Sequence, residues 1–177
     1  MSADTVFADT GTSSPLLFAL TLTVDEFHHE WSRCNLLANY VGEYVAYQFT
    51  QRERAENLIS TITNEFLESL IALAPGTSQL SLNYVQTPDA LCIEATHSVY
   101  SAMRSAYYDF LTGLDPANCQ QQYLTLLVAE TQPATSFNQL GLTMLTHDFG
   151  VRFNAQIHEE HSRLTTQLVT PIEALIA

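Results

Sequence analysis

Residues Arg52–Leu73 carry the pattern that most constrains the fold of this chain. At 100° per residue, the apolar side chains form one stripe on a single long helix, namely Ala55, Leu58, Ile59, Ile62, Phe66, Leu70 and Leu73. Glu65 and Ser69, four residues apart, lie at the edge of this stripe or inside it, whereas Asn64 and Glu68 point away. A carboxylate on the buried side of a helix is costly unless it is paired, hydrated or used. The helix therefore contains the first candidate for a functional residue.

The rest of the chain alternates between strand and helix patterns. Apolar residues at every second position predict strands over residues 15–23, 27–34, 79–86, 91–98, 151–157 and 163–170. Helical spacing predicts helices over residues 35–49, with Asn35 as N-cap, over residues 99–114, after the Asp115-Pro116 cap, and over residues 140–149. Gly150 is expected to end the last of these in a left-handed conformation. This order predicts an α+β fold, with one mainly antiparallel sheet and helices on one face.

Length and charge narrow the function classes. At 177 residues, we expect a disordered tail over residues 1–14 and a single domain over residues 15–177. The chain has six arginines, no lysine and nineteen acids, giving a net charge of −13. Such a balance argues against nucleic acid and anionic membrane as partners. It also excludes a Walker-type phosphate loop, which requires a lysine.

Location and redox state follow from further absences in the sequence. No apolar run is long enough for a membrane span, and no Lys or Arg precedes Arg33, so a basic signal-peptide region is missing. We therefore expect a cytoplasmic protein. Its three cysteines are scattered without a CxxC spacing, which favours reduced, buried thiols over a disulfide frame or a zinc site.

Each candidate for chemistry has a structural alternative. Glu65 could be a general base on a rigid helix, or a boundary glutamate paired with Arg52 or Arg54. The pairs His28-His29, His158/His161 and His147-Asp148 contain metal-ligating or catalytic residue types, but structural positions explain them better. His28 and His29 face opposite ways in a predicted strand, the second pair falls in a predicted turn, and the third lies on a helix surface. The tyrosine-rich helix faces around residues 40–47 and 107–110 favour core or interface packing over a cofactor site.

Three segments in order resemble the histidine-kinase-like (GHKL) ATPases. Residues 64–69 (NEFLES), with RAENL at 54–58, resemble the N-box helix. The likeness is to small stand-alone bacterial members akin to anti-sigma-factor serine kinases and SiaB-family regulators. Residues 94–99 (EATHSV) resemble the "TNSV" segment of that subgroup. Residues 136–145 (SFNQLGLTML), followed by HDFG at 147–150, resemble its "SGLGLLTM…NDYG" loop and helix.

The resemblance implies a two-layer α/β sandwich that holds ATP and Mg²⁺ between the helices and the sheet. Glu65 matches the N-box glutamate, the base for the nucleophile, and Ser69 falls where the family has its Mg²⁺-binding asparagine. The resemblance also assigns nucleotide contacts to His97, Ser98, Leu140, Gly141 and Leu142. Residues 132–139 would form the lid.

Departures from the family pattern predict a weak or degenerate ATP site. A serine hydroxyl at position 69 replaces an amide oxygen, and Thr96-His97-Ser98 replaces the Asp-x-Gly-x-Gly segment that reads adenine. Gln139 replaces the first glycine of the later box, and no lysine is present to contact the γ-phosphate.

The functional prediction is a GHKL-like signalling regulator that acts by partner switching. The resemblance implies a STAS-domain (anti-anti-sigma-like) partner and a PPM-type phosphatase as antagonist. The departures favour a pseudokinase over an active serine kinase of that partner. Two other classes stay open, a small-molecule enzyme using the helix–sheet cleft and a homodimerisation module using the aromatic helix faces.

Overall fold

The described part of the chain folds into five strands, which form one sheet, and a set of helices that pack on this sheet. The computed structural model describes residues 15–129, 137–158 and 163–176. In chain order the elements are β1 (Leu16–Thr23), α1 (Asp25–His29), α2 (Ser32–Ala46), α3 (Arg52–Leu73), β2 (Gln79–Gln86), β3 (Ala90–Ser98), α4 (Ser101–Gly113), α5 (Gln120–Val128), α6 (Gln139–Phe149), β4 (Arg152–His158), β5 (Arg163–Pro171) and α7 (Ile172–Ile176).

The strands form one antiparallel sheet in the order β1-β2-β3-β5-β4. Side chains on each central strand alternate between buried and partly exposed, as expected when one face of a sheet is covered. Opposite pairs such as Leu82 with Ala95, and Ile93 with Leu168, are buried on that covered face. The predicted α+β sandwich, with helices on one face of an antiparallel sheet, is confirmed.

Helix α3 lies at the centre of the helical layer. The whole predicted stripe is buried, and Ile59, Ile62 and Leu70 have no exposed surface. The ring of Phe66 packs on Phe153 of β4, with 6.3 Å between the centroids. Burial of each such side chain stabilises the fold by about 1.5–3 kcal/mol. This packing fixes the rotation of α3 and hence the directions of Glu65 and Ser69.

Helix α2 crosses α3 at a point of close backbone approach. A Cβ built on Gly42 would lie 2.9 Å from the carbonyl oxygen of Glu56 and 2.9 Å from the Cβ of Ser60. Any side chain at Gly42 would therefore push the two helices apart. Next to this contact, Ser60 Oγ donates a hydrogen bond of 2.5 Å to Asn39 Oδ1 and links the helices on their solvent side.

The predicted strand over residues 27–34 is wrong. This stretch forms α1 and the first turn of α2, and the helical backbone is broken at Glu30 between them. Its buried side chains are Phe27 and Cys34, seven positions apart, a spacing that fits helices better than a strand. The apparent alternation consisted mainly of polar residues. Asn35 is consequently inside α2 and is not its N-cap.

Other boundaries follow the sequence more closely. Gly150 ends α6 with φ +65°, as predicted. Asp115 does not cap a helix directly. Its Oδ1 accepts a hydrogen bond from the Ala117 amide in the turn before α5, which begins at Gln120. The predicted tail at residues 1–14 and most of the predicted lid lie outside the described residues. Within the described ranges, no helix is long and apolar enough to cross a membrane.

Candidate functional site

Glu65 contacts the beginning of α6 through one asparagine. Asn138 Nδ2 donates a 2.7 Å hydrogen bond to Glu65 Oε2, and Asn138 Oδ1 accepts a 2.8 Å bond from the Gly141 amide. Asn138 is thus the N-cap of α6 and holds the Glu65 carboxylate at the same time. We call these three residues the Glu65 junction. A carboxylate near the positive end of a helix is also electrostatically favoured.

The junction requires glycine at position 141. A Cβ built on Gly141 would overlap both Glu65 Oε2 and Asn138 Nδ2. The carboxylate therefore lies directly against the backbone of the first turn of α6. The absence of a side chain at Gly141 thus admits the Glu65 carboxylate.

One side of the junction opens into a polar cavity of about 330 Å³. Its lining comes from α2 and α3 and consists of Asn35, Asn39, Asn57, Ser60, Thr61, Asn64 and Glu65. Asn64 Nδ2 donates a 3.0 Å hydrogen bond to Glu68 Oε1, while Asn64 Oδ1 is buried without a partner. Burial raises the pKa of Glu68, the Asn64 bond lowers it, and the charge of Glu65 raises it further. A ligand that enters here would meet amide and hydroxyl groups and one partly buried carboxylate.

Ser69, one turn further along α3, faces a different environment. Its hydroxyl is fully buried near those of Tyr107 on α4 and Thr166 on β5, both also fully buried. None of the three oxygens has a partner in hydrogen-bond geometry. Burial raises the pKa of Tyr107, and the nearby Thr166 and Ser69 hydroxyls offset only part of this rise. We call this group, together with His97, the Ser69 cluster.

His97 completes the cluster at the end of β3. Its ring is 1% exposed and packs edge-on against Tyr107, with 6.4 Å between the centroids. The distance from His97 Nδ1 to the Ser98 carbonyl oxygen is 3.2 Å. Because a carbonyl only accepts, Nδ1 carries the proton and Nε2 is left with a buried, unpaired lone pair. Burial lowers the pKa of His97 to about 4, so the ring is neutral near pH 7.

The predicted nucleotide residues are therefore divided between two places. Glu65 and Gly141 meet at the junction, whereas Ser69 and His97 belong to the buried cluster. Leu142 is fully buried in the core, while Leu140 and Ser98 are partly exposed. The roles of these residues stay predictions.

In this arrangement the residues do not fit Mg²⁺-ATP. The Gly141 and Leu142 amides, which would face phosphate, already donate to Asn138. Mg²⁺ prefers carboxylate and water oxygens, but the Ser69 cluster offers only neutral groups. Tyr107 and Phe137, whose ring centroids lie 5.2 Å apart, fill the space beside it. Among the described residues, no three His, Cys, Asp or Glu side chains are grouped to hold a metal ion.

Sequence reasoning missed Asn138, Tyr107 and Thr166. Asn138 carried a usable signal, because an asparagine three residues before Gly141 at a helix start is a typical N-cap. For Tyr107 the helical spacing indicates only core or interface packing, and Thr166 has no local signal, because β5 brings it to the cluster from a distant part of the chain.

A second cavity, of about 800 Å³, shares Asn57 and Thr61 with the first and extends to the N-terminus of α3. The α7 backbone closes part of it. Arg54 Nε donates to the Ala174 carbonyl at 3.1 Å, and Gln51 Nε2 donates to the Ile176 carbonyl at 2.7 Å. Although larger, this cavity contains none of the predicted site residues.

The histidine pairs have structural roles where they are described. His28 Nε2 donates to the Ile71 carbonyl at 2.8 Å, and His29 Nδ1 to the Asp25 carbonyl at 2.8 Å. His147 stacks on Tyr123 and bonds to Asp148 at 2.7 Å on the surface of α6. His161 lies outside the described residues.

Comparison with solved structures gives a relative in fold. No protein-family model matches the chain, and no curated protein sequence matches it. The fold resembles that of a chain in the crystal structure of the SiaB–SiaC complex from Pseudomonas aeruginosa, with a TM-score of 0.57 and 14% identity. The match covers 88% of this chain and 90% of the other. The expected fold is thereby supported over nearly its whole length.

A weaker match is to the mycobacterial sensor histidine kinase MprB. It has a TM-score of 0.37 and 10% identity, and covers 66% of this chain and 73% of the other. That score is too low to indicate a shared fold.

Replacing Asn138 tests the junction. In Asn138→Asp the new carboxylate still caps α6 but lies against Glu65, so the pair must bind a proton or repel. The folded-state pKa of the pair rises, and the variant should lose stability as pH rises from ~4 to ~7, by roughly 1–3 kcal/mol relative to wild type. Urea unfolding at several pH values measures this loss. Asn138→Ala is the control, with a pH-independent loss of ~1 kcal/mol. Equal pH profiles for the two variants would contradict the contact with Glu65.

Burial of His97 predicts a second effect of pH on the free energy of unfolding. Its folded pKa of about 4 lies below the unfolded value of ~6.5, so the unfolded chain binds more protons between these values. Stability contributed by neutral His97 is complete above pH ~6.5 and is lost as pH falls towards ~4, by about 3 kcal/mol in total. His97→Asn, the residue of the "TNSV" segment, should remove this part of the pH dependence in urea unfolding. An unchanged difference between pH 7 and pH 4 would show that His97 is not buried as described.

Proposed function

We propose that this protein is a cytoplasmic signalling regulator of GHKL-like fold that acts by partner switching. It binds a small STAS-type protein, whose availability a PPM-type phosphatase sets by removing phosphate from that partner. The ATP site is degenerate, so binding itself is the regulatory event. The active-kinase version, in which Glu65 serves as base towards a partner serine, is the alternative.

The observation that carries the proposal is the nearly full-length likeness to a chain that was crystallised in a complex. The SiaB–SiaC structure is that of a protein complex, and the match covers most of this chain and most of the one chain it aligns with. A shared fold at 14% identity does not transfer a partner. It does favour a binding role over the small-molecule enzyme considered from sequence.

Burial of the Ser69 cluster supports the degenerate version. Entry of a nucleotide between α3 and the sheet would require Tyr107 and Phe137 to leave positions in which they are almost fully buried. Removing a large aromatic side chain from a core typically destabilises a protein by ~3–5 kcal/mol. Nucleotide binding would have to compensate for a similar loss and also replace the Asn138 bonds to α6.

The polar cavity beside Glu65 is the observation that favours the active-kinase alternative. Glu65 is partly exposed there, and its neighbours Asn57 and Thr61 are polar and accessible. A hydroxyl of a partner protein could therefore approach the carboxylate even though Ser69 is inaccessible. We place the partner contact at this cavity in both versions of the proposal.

Binding of purified STAS-domain proteins from the same cell tests the proposal. We expect one of them to bind by isothermal titration without nucleotide, and to receive no phosphate from labelled ATP. Asn57→Arg at the cavity should weaken binding at least ~10-fold, a loss of ~1.4 kcal/mol. The matched control Gln121→Arg, on the exposed side of α5, should bind normally.

Two results would contradict the proposal in different ways. Failure of every STAS-domain protein to bind would contradict a STAS-type partner. Phosphate transfer that is lost in Glu65→Gln but kept in Glu68→Gln would establish the active kinase instead.

A further inference from the structure

The two cavities form one continuous groove along the exposed side of α3. They share Asn57 and Thr61, and from these residues the smaller cavity extends to Glu65 and the larger one to Arg54. The four residues follow one another at intervals of three or four positions, so they lie on one side of the helix. At a rise of about 1.5 Å per residue this side is roughly 16 Å long, the length of about five residues of extended chain. We call it the α3 groove.

Five side-chain amides line the α3 groove. Each amide has a carbonyl acceptor and two N–H donors, so it pairs with both polar groups of a peptide main chain. The side chain of Asn57 is exposed where the two cavities join, and it has no hydrogen-bond partner among the described residues. A groove of this composition therefore suits an extended polypeptide. The five amides are those of Gln51 just before α3, of Asn57 and Asn64 on α3, and of Asn35 and Asn39 on α2.

The Glu65 end of the α3 groove has an unused acceptor. Glu65 Oε2 accepts the bond from Asn138, whereas Oε1 accepts none from the described residues. In the described ranges no arginine or histidine forms an ion pair with Glu65 or with Glu68, one turn further along. Burial raises the pKa of Glu68, and the nearby charge of Glu65 raises it further. A cation bound here reduces the repulsion between the two carboxylates, and the net charge of −13 attracts one.

The Arg54 end of the groove differs in charge and in polarity. The charges in its lining balance, because two arginines, at positions 52 and 54, accompany two acids, at positions 53 and 148. Leu58, Phe149 and Ala174 give this end an apolar wall. A bound segment therefore has its basic side chain at the Glu65 end and an apolar side chain at the Arg54 end.

We propose that the α3 groove binds an extended segment of the partner protein that carries one basic side chain. The arginine or lysine of this segment donates to Glu65 Oε1, and the amides of the groove bond to its main chain. Since Gln51, Arg54 and Asn57 are exposed, the segment enters without displacing the core, unlike a nucleotide beside Ser69. The choice of a protein as the source of this segment rests on the proposed function, whereas the chemistry of the groove does not.

Three short peptides that differ only in the charge of one residue test the groove. LAARA, LAAQA and LAAEA, each acetylated and amidated, are titrated into the ¹⁵N-labelled full chain, and NMR follows the side-chain NH₂ signals of its asparagines. We expect LAARA to shift the Asn57 and Asn64 signals saturably. Its dissociation constant should be at least ~5-fold lower than that of LAAQA, because the guanidinium adds a charge-assisted hydrogen bond. LAAEA should bind more weakly than LAAQA.

Matched substitutions separate the charge of the groove from the charge of the whole protein. Glu65→Gln keeps an acceptor for Asn138 but removes the charge, so the preference for LAARA over LAAQA should disappear. Glu94→Gln removes the same charge from the uncovered face of β3 and should keep the preference. Asn57→Arg, at an exposed position, should bind LAARA more weakly and LAAEA more tightly than wild type, a reversal that a folding defect does not produce.

Three results would overturn the proposal. They are equal wild-type affinities for the three peptides, no saturable binding of any peptide, or shifts confined to amides on the uncovered face of the sheet, such as Asn83 and Gln167. A STAS-domain protein that binds wild type and Glu65→Gln equally, while LAARA does not bind, would leave the proposed function in place and overturn the groove alone. Binding of LAARA in the groove without binding of any STAS-domain protein would contradict the proposed function alone.

Discussion

Burial of the apolar stripe of α3 against the sheet is the contact on which the rest of the structure depends. It fixes the helix in one rotation, with Ile59, Ile62, Phe66 and Leu70 directed inward. Glu65 then points towards the start of α6, and Ser69, one turn on, points into the interior. A rotation that exposed Ser69 would also expose part of this stripe, at about 25 cal/mol per Å². The two residues therefore cannot be rearranged independently.

Much of the fold could be predicted because its signals are local. The α3 stripe, the β2–β3 hairpin and the left-handed Gly150 are short-range patterns, and the structure confirms each. The strand predicted over residues 27–34 is wrong. Alternation among polar residues imitates a strand pattern there, whereas burial of Phe27 and Cys34 favours helices. The order of the sheet, with β5 between β3 and β4, depends on long-range pairing that no local pattern contains.

The sequence indicates which positions belong to the candidate site, but it does not indicate how they are grouped in space. The resemblance indicates Glu65, Ser69, His97 and Gly141. The structure brings Glu65 to Gly141, and it brings both Ser69 and His97 to Tyr107. What separates the two pairs is side-chain packing. Asn138 accepts the hydrogen bonds of amides in the first turn of α6, and Tyr107 fills the space beside Ser69. Both act across more than 35 positions of sequence, which periodicity and motif spacing do not report.

The central proposal is that a nucleotide does not enter between α3 and the sheet, while the Glu65 junction stays accessible to a partner protein. Titration of a fluorescent ATP analogue with Mg²⁺ tests it most directly, using wild type, Glu65→Gln and Ser69→Asn. We predict no saturable binding by any of the three, with dissociation constants weaker than ~1 mM. Saturable, Mg²⁺-dependent binding to wild type that weakens in Glu65→Gln and tightens in Ser69→Asn would contradict the claim and establish a working ATP site.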